Sequence, residues 1–220
     1  MGRLRTFYGS MVGKKVVMGI TGLIGIGFVI LHSIGNLLVF RGSAAINSYS
    51  HFLKSTGELL WTLRVVLIVA VVLHVIAAIQ LTIQSRSARP IGYTKRESQV
   101  ATVSSRTMRW GGALLLVFIV LHILHFTTGT IRPAGVFSSE DVYSNVVYSF
   151  RIWWVAAFYV VSMIALGLHL FHGAWSSVRS LGVSPPSPQP LHRRVSLVIA
   201  LFVWAAFTAI PVAVFSGVVR

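Results

Sequence analysis

The sequence predicts an all-α integral membrane bundle of five transmembrane helices. Three observations predict it. Of the 220 residues, 55% are hydrophobic and only 10% charged, against about 25% charged in a soluble domain. Five stretches reach the roughly 20 apolar residues needed to cross a bilayer. Proline, glycine and basic residues punctuate the segments between them.

The first span covers 16–40 and follows Lys14 and Lys15. It is too long for the apolar core of a signal peptide, so no cleavable leader is expected. Its segment MGITGLIGIGF spaces Gly19, Gly22, Gly25 and Gly27 along the helix. Small residues there suit close helix packing and a flat cofactor equally well. The remaining spans fall at 59–83, 108–128, 152–178 and 195–218. The breakers RSARPIGY, GTIRPAG and GVSPPSPQP follow the second, third and fourth spans. The chain 1–220 therefore reads as a single membrane domain.

Charge sets the expected orientation. Thirteen of the 19 basic residues, among them Arg3, Lys14, Lys15, Arg89, Lys95, Arg96, Arg179 and Arg193, fall on the side of the N-terminus. Six, including Lys54 and Arg132, fall on the other side with Glu58, Glu140 and Asp141. The positive-inside rule places the N-terminus in the cytoplasm and the C-terminus outside. The same distribution argues against nucleic acid as a partner, because the cations sit in short runs between apolar segments. There is no cysteine, which excludes disulfides, thiolate zinc and cysteine-held iron–sulfur clusters in this chain.

Six of the eight histidines fall inside the spans. His32 lies in the first, His74 in the second, His122 and His125 in the third, His169 and His172 in the fourth. Intramembrane ionisable groups are costly and mark function by default. Counting ~1.5 Å per residue, His32 lies roughly 24 Å and His122 roughly 21 Å from the cytoplasmic starts of their helices. His74 and His169 each lie roughly 14 Å from the cytoplasmic ends of theirs. Two imidazoles thus share an outer level and two an inner level. Two stacked bis-histidine haems need that arrangement. In each H-x-x-H pair both rings share a helix face, and spacing alone leaves open which one ligates.

The segments GFVILHSIGNLL, NSYSHFLKS, RSARPIGY, VLHILHFTTG and LHLFHGAWSSVRSLG together resemble the single-subunit, five-helix, di-haem cytochrome b558-type membrane anchor of succinate dehydrogenases and quinol:fumarate reductases. The resemblance runs from Lys14 to Gly182. It implies axial ligands at His32 and His122 for an outer haem b, and at His74 and His169 for an inner one. His122 matches because an apolar stretch and a threonine follow it; His169 matches because it lies thirteen residues before Gly182. His125 and His172 are secondary candidates, with Arg89, Lys95 and Arg96 as partners for haem propionates.

The resemblance further implies a bacterial cytoplasmic-membrane protein in the tricarboxylic acid cycle. Its partners would be a flavoprotein subunit carrying FAD and an iron–sulfur subunit carrying the clusters. The electron acceptor would be a membrane quinone, typically menaquinone. Quinone and proton candidates are Glu58, His51 and Tyr49, in the first outer loop. His192 belongs to the cytoplasmic charge belt. Competing readings are a stand-alone transmembrane di-haem electron carrier, a quinol:fumarate reductase anchor working in reverse, a membrane di-iron enzyme, and a haem-free structural anchor.

Overall fold

The computed structural model describes residues 2–88, 103–183 and 190–220. All its regular structure is helical. Helix α1 (Gly2–Gly9) precedes α2 (Met11–Asn36), which tightens into a 3₁₀ turn at Leu37–Arg41. Then come α3 (Ser43–Ser55), α4 (Glu58–Ser87) and α5 (Val103–His122), whose last turn widens into a π-helical segment at Ile123–Thr127. Helices α6 (Val142–Phe150), α7 (Trp153–Ser180) and α8 (Pro190–Phe215) complete the chain.

Five of these elements are long and apolar enough to cross a membrane: Met11–Arg41, Glu58–Ser87, Val103–Thr127, Trp153–Ser180 and Leu191–Phe215. Each overlaps one expected span, and the ends differ. The first, third and fifth begin four or five residues earlier than apolarity suggests, and the second ends four later. Helices continue past the hydrocarbon because long basic side chains at their ends, such as Arg86 and Arg193, reach back to water. Closure of α7 matches the sequence. Gly182, at φ +74°, takes the left-handed conformation, and its N–H donates to Arg179 while Val183 N–H donates to Val178. That is the usual glycine stop of a helix.

Backbone packing joins α7 to α8, α2 to α4, α5 to α7 and α2 to α7. Helices α2 and α7 run antiparallel. A Cβ on Gly19 would touch Leu181, and one on Gly22 would touch Ser177. We call the end where α2 begins and α7 stops the basal end, and the opposite end distal.

Two helices at the distal end replace what apolarity reads as loops. Helix α3 buries Ile46, and α6 buries Val146, Val147 and Phe150 against Val155 and Tyr159 of α7 and Ile210 and Val214 of α8. Asp141 caps α6, accepting from Ser144 N at 3.1 Å and Ser144 Oγ at 2.6 Å, and accepts from Asn47 of α3 at 2.9 Å. These bonds, Ser144's first and Asn47's next, hold the Asp141 carboxyl below the usual carboxylate range. Toward the basal end, Leu170, Ala200 and Val203 pack between α7 and α8. Leu31, Ile68 and Val198, each more than half exposed, belong to apolar surfaces that suit lipid rather than water.

Candidate histidine sites

Four helices bring four imidazoles together as two close pairs, each with its ring planes steeply inclined, at 80° and 62°. The distal pair is His32 of α2 and His122 at the end of α5, with ring centroids 6.0 Å apart. The basal pair is His74 of α4 and His169 of α7, 6.2 Å apart. Each pair spans two helices that are not among the strongly packed neighbours. Contact with His74 lies at Gly22 of α2, ten residues before His32, so the two levels are separated by about 15 Å along that helix.

The spacing has a direct chemical meaning. A metal–imidazole bond is about 2.0–2.1 Å, and a ring nitrogen lies about 1 Å from its ring centre. One ion midway between two imidazoles therefore puts their centroids about 6 Å apart. All four histidines are partly buried. Among the described residues, no group of three or more His, Asp or Glu side chains is placed to hold a metal ion. The chain offers close pairs, and any further ligands must come from the bound group.

Hydrogen bonds sort the ring nitrogens. His74 Nδ1 lies 3.1 Å from the carbonyl of Met18 and 3.3 Å from Thr21 Oγ1, whose own hydroxyl donates to Val17 at 2.7 Å. A carbonyl only accepts, so Nδ1 carries the proton and Nε2 keeps its lone pair. Histidine ligands are usually oriented this way, by a backbone carbonyl on the far nitrogen. Glycines flank both basal rings. A Cβ at Gly22 would sit 3.3 Å from His74 Cε1, and one at Gly112 3.9 Å from His169 Cε1. His169 Nδ1 is buried with no hydrogen-bond partner among the described residues. An unpaired buried nitrogen costs about 1–3 kcal/mol, so a further hydrogen-bond acceptor or donor at this ring would be stabilising.

At the distal level the two histidines of the third span part company. His125 is buried, and both its nitrogens have protein partners: Nδ1 is 3.0 Å from Tyr159 Oη and Nε2 is 2.9 Å from Ser149 Oγ. Its ring stacks on Phe126 at 4.0 Å. His122 has one long contact, Nδ1 to Tyr159 Oη at 3.4 Å, and its Nε2 makes no hydrogen bond among the described residues. A chain therefore runs His122–Tyr159–His125–Ser149. The π-helical turn at Ile123–Thr127 sets this division, a local widening often found at functional sites. Phe118 packs 5.5 Å from the His122 ring. His32 stacks on Phe28 at 5.1 Å and faces Phe207 of α8 at 5.6 Å, while Asn36 Nδ2 donates to its backbone carbonyl at 2.7 Å. His172 is half-buried beside Trp175.

The quinone and proton candidates lie on distal helices. Tyr49 is on α3, its ring against Gly35, where a Cβ would sit 2.6 Å from Tyr49 Cε1. His51, exposed on the same helix, lies 3.2 Å from Glu140, which also pairs with Lys54 at 3.1 Å. Hydrogen bonds from Lys54 and then Ser139 hold the Glu140 carboxyl below its ordinary value. Glu58 is exposed in the first turn of α4, where the helix dipole favours a carboxylate. It makes no hydrogen bond or ion pair among the described residues. Arg89, Lys95 and Arg96 lie outside the described residues. His192, on α8, has a buried Nδ1 without a partner among the described residues.

Tyr159 is the residue that sequence reading missed. It lies 34 and 37 residues from the histidines it joins, on another helix, and an apolar-facing tyrosine carries no local signature. Among the described residues the chain is helical, with five helices long and apolar enough to cross a membrane; no protein-family model, curated protein or solved structure matches it.

Proposed function

We propose that this chain is the di-haem cytochrome b membrane anchor of a succinate dehydrogenase. The observation that carries the reading is the close pair of imidazoles at each of two depths, 6.0 Å and 6.2 Å apart. Two partly buried histidines at that spacing, with His74 Nδ1 already committed to a carbonyl, suit a planar macrocycle that fills the remaining coordination positions. His32 and His122 would hold the distal haem b, and His74 and His169 the basal one. When bound, each iron supplies one-electron exchange between a soluble donor and a membrane acceptor.

The chain's own residues do the rest. Met18 and Thr21 orient His74. Tyr159 orients His122 and, with Ser149, occupies His125, which keeps that ring as a support for its neighbour. Phe118, Phe28 and Phe207 exclude water from the distal rings. A cysteine-free chain needs a partner for iron–sulfur chemistry, and the basic N-terminal side supplies a surface for an acidic one. In this reading that side is cytoplasmic, the membrane is the bacterial cytoplasmic membrane, and the partners are an iron–sulfur and a flavoprotein subunit. A quinone, typically menaquinone, would be reduced at the distal end, with Tyr49, His51 and Glu58 as the nearby polar candidates.

Affinity purification of the tagged chain from its native membrane tests the reading. Co-purification of a flavoprotein with succinate:quinone activity and two b haems per chain is expected. Two haems without any flavoprotein would mean a stand-alone carrier. A haem-free chain would defeat the proposal.

A further inference from the structure

Beyond the histidine pairs, the basal end carries a cleft, lined by cations, hydroxyls and apolar side chains, that the histidine sites do not use. It lies between the start of α2 and the end of α7 and has a volume of about 410 Å³. Val12, Lys15, Trp175, Ser176, Arg179 and Ser180 line it.

Its chemistry is one-sided. Among the described residues, two cations and two hydroxyls line it, and no carboxylate does. Lys15 is exposed, and Lys15, Ser176 and Ser180 have no side-chain partner among the described residues. Arg179 lies over the Trp175 indole at 5.0 Å, which fixes the guanidinium at the rim. Such a donor set recognises an anion.

Its level identifies the anion. Met11 begins the first span and Ser180 ends the fourth, so the cleft sits where hydrocarbon gives way to headgroups. A tryptophan is at home there. Val12, at 64% exposure, presents apolar surface beside the cations. An anion held at this depth, next to an apolar surface, is a lipid phosphate, and basic pockets between spans bind such headgroups.

We propose that this cleft binds the phosphate of one anionic phospholipid, with Lys15 and Arg179 flanking it and Ser176 and Ser180 donating hydroxyl hydrogen bonds. The site stands apart from the haem reading and holds whether or not that reading does.

Native mass spectrometry of the full-length chain, titrated with phosphatidylglycerol or phosphatidylcholine, tests it. The wild-type chain should bind one phosphatidylglycerol in preference to phosphatidylcholine. Removing both cations in the double variant Lys15→Gln, Arg179→Gln should weaken that binding about 30-fold. Because a double variant can misfold, two further measurements accompany it. Raising ionic strength to ~1 M should weaken lipid binding by the wild-type chain, and Ser176→Ala with Ser180→Ala should weaken it with both charges intact. Equal affinity of the cation-free and wild-type chains for phosphatidylglycerol overturns the proposal. Displacement of the lipid by millimolar inorganic phosphate assigns the cleft to free phosphate and overturns the lipid source. Loss of the basal haem from the double variant, with no lipid bound by the wild type, assigns the cations to a propionate and overturns it too.

Discussion

Tyr159→Phe is the substitution that reads the distal site most finely. It removes one hydroxyl and keeps the ring, so the contacts with Phe150 at 4.9 Å and Phe118 at 5.2 Å survive. Two hydrogen bonds go: the 3.0 Å bond to His125 Nδ1 and the long 3.4 Å contact with His122 Nδ1. Side-chain bonds between membrane helices average about 0.6 kcal/mol and reach about 1.7. Leaving a buried nitrogen unpaired costs about 1–3 kcal/mol. The short bond falls in the upper part of these ranges and the long one adds little, so a loss of about 1–2 kcal/mol in stability is expected. Losing the group that orients a metal-ligating histidine costs about 10–100-fold in affinity. The 3.4 Å distance places this case near tenfold. The basal pair lies about 15 Å away along α7 and is oriented by Met18 and Thr21, so it should not respond. The assay is a redox titration of the purified variant, resolving two haem components, with haem counted per chain. Equal loss from both components, or no loss from either, would refute the assignment of Tyr159 to His122.

Replacing His122 with alanine should remove the distal haem. His125→Gln should leave both haems while lowering the unfolding temperature, because His125 has both nitrogens engaged within the protein. The reverse outcome would exchange the two roles. Thr21→Val takes one of two acceptors from His74 Nδ1 and leaves the Met18 carbonyl, so basal haem retention should weaken by about 0.5–1 kcal/mol, read by haem loss in competition with apomyoglobin. Gly22→Val should empty the basal site, since even a Cβ there stands 3.3 Å from His74. The Glu140 tether gives a pH signature. Hydrogen bonds from Lys54 and then Ser139 hold its folded carboxyl below the ordinary glutamate value, so its stabilising contribution is complete at neutral pH and disappears as pH falls through the folded value. Hydrogen exchange in α3 should accelerate over that acid window in the wild type, and Glu140→Gln should reduce the pH dependence to the part owed to Asp141, which holds Asn47 of α3.

Apolar length was enough to locate all five spans, because in hydrocarbon every backbone group must bond within its own helix. It missed their ends, where helices run on through basic residues. It also missed α3 and α6. Both are short, with a mixed pattern that signals nothing in a hydropathy window, although Ile46, Tyr49 and Leu53 repeat at helical spacing and Asp141 stands where an N-cap belongs. That histidines of the first and third spans share one level and those of the second and fourth another was legible from depth, since a helix converts residue number into height; the choice of His122 and His169 within their pairs came from the family resemblance alone. The difference between His122 and His125 was not legible. It depends on Ser149 and Tyr159, contributed by other elements, and on a π-helical turn that three-residue spacing does not announce. The carbonyl that orients His74 was equally hidden, for a backbone acceptor looks the same at every residue.

The central claim is that each of two imidazole pairs closes on one iron porphyrin. A density map of the chain purified in its native complex tests that most directly. The account predicts two flat densities, one between His32 and His122 and one between His74 and His169, each continuous with both rings. A map with one such density, with none, or with a disc bonded to His125 would contradict it.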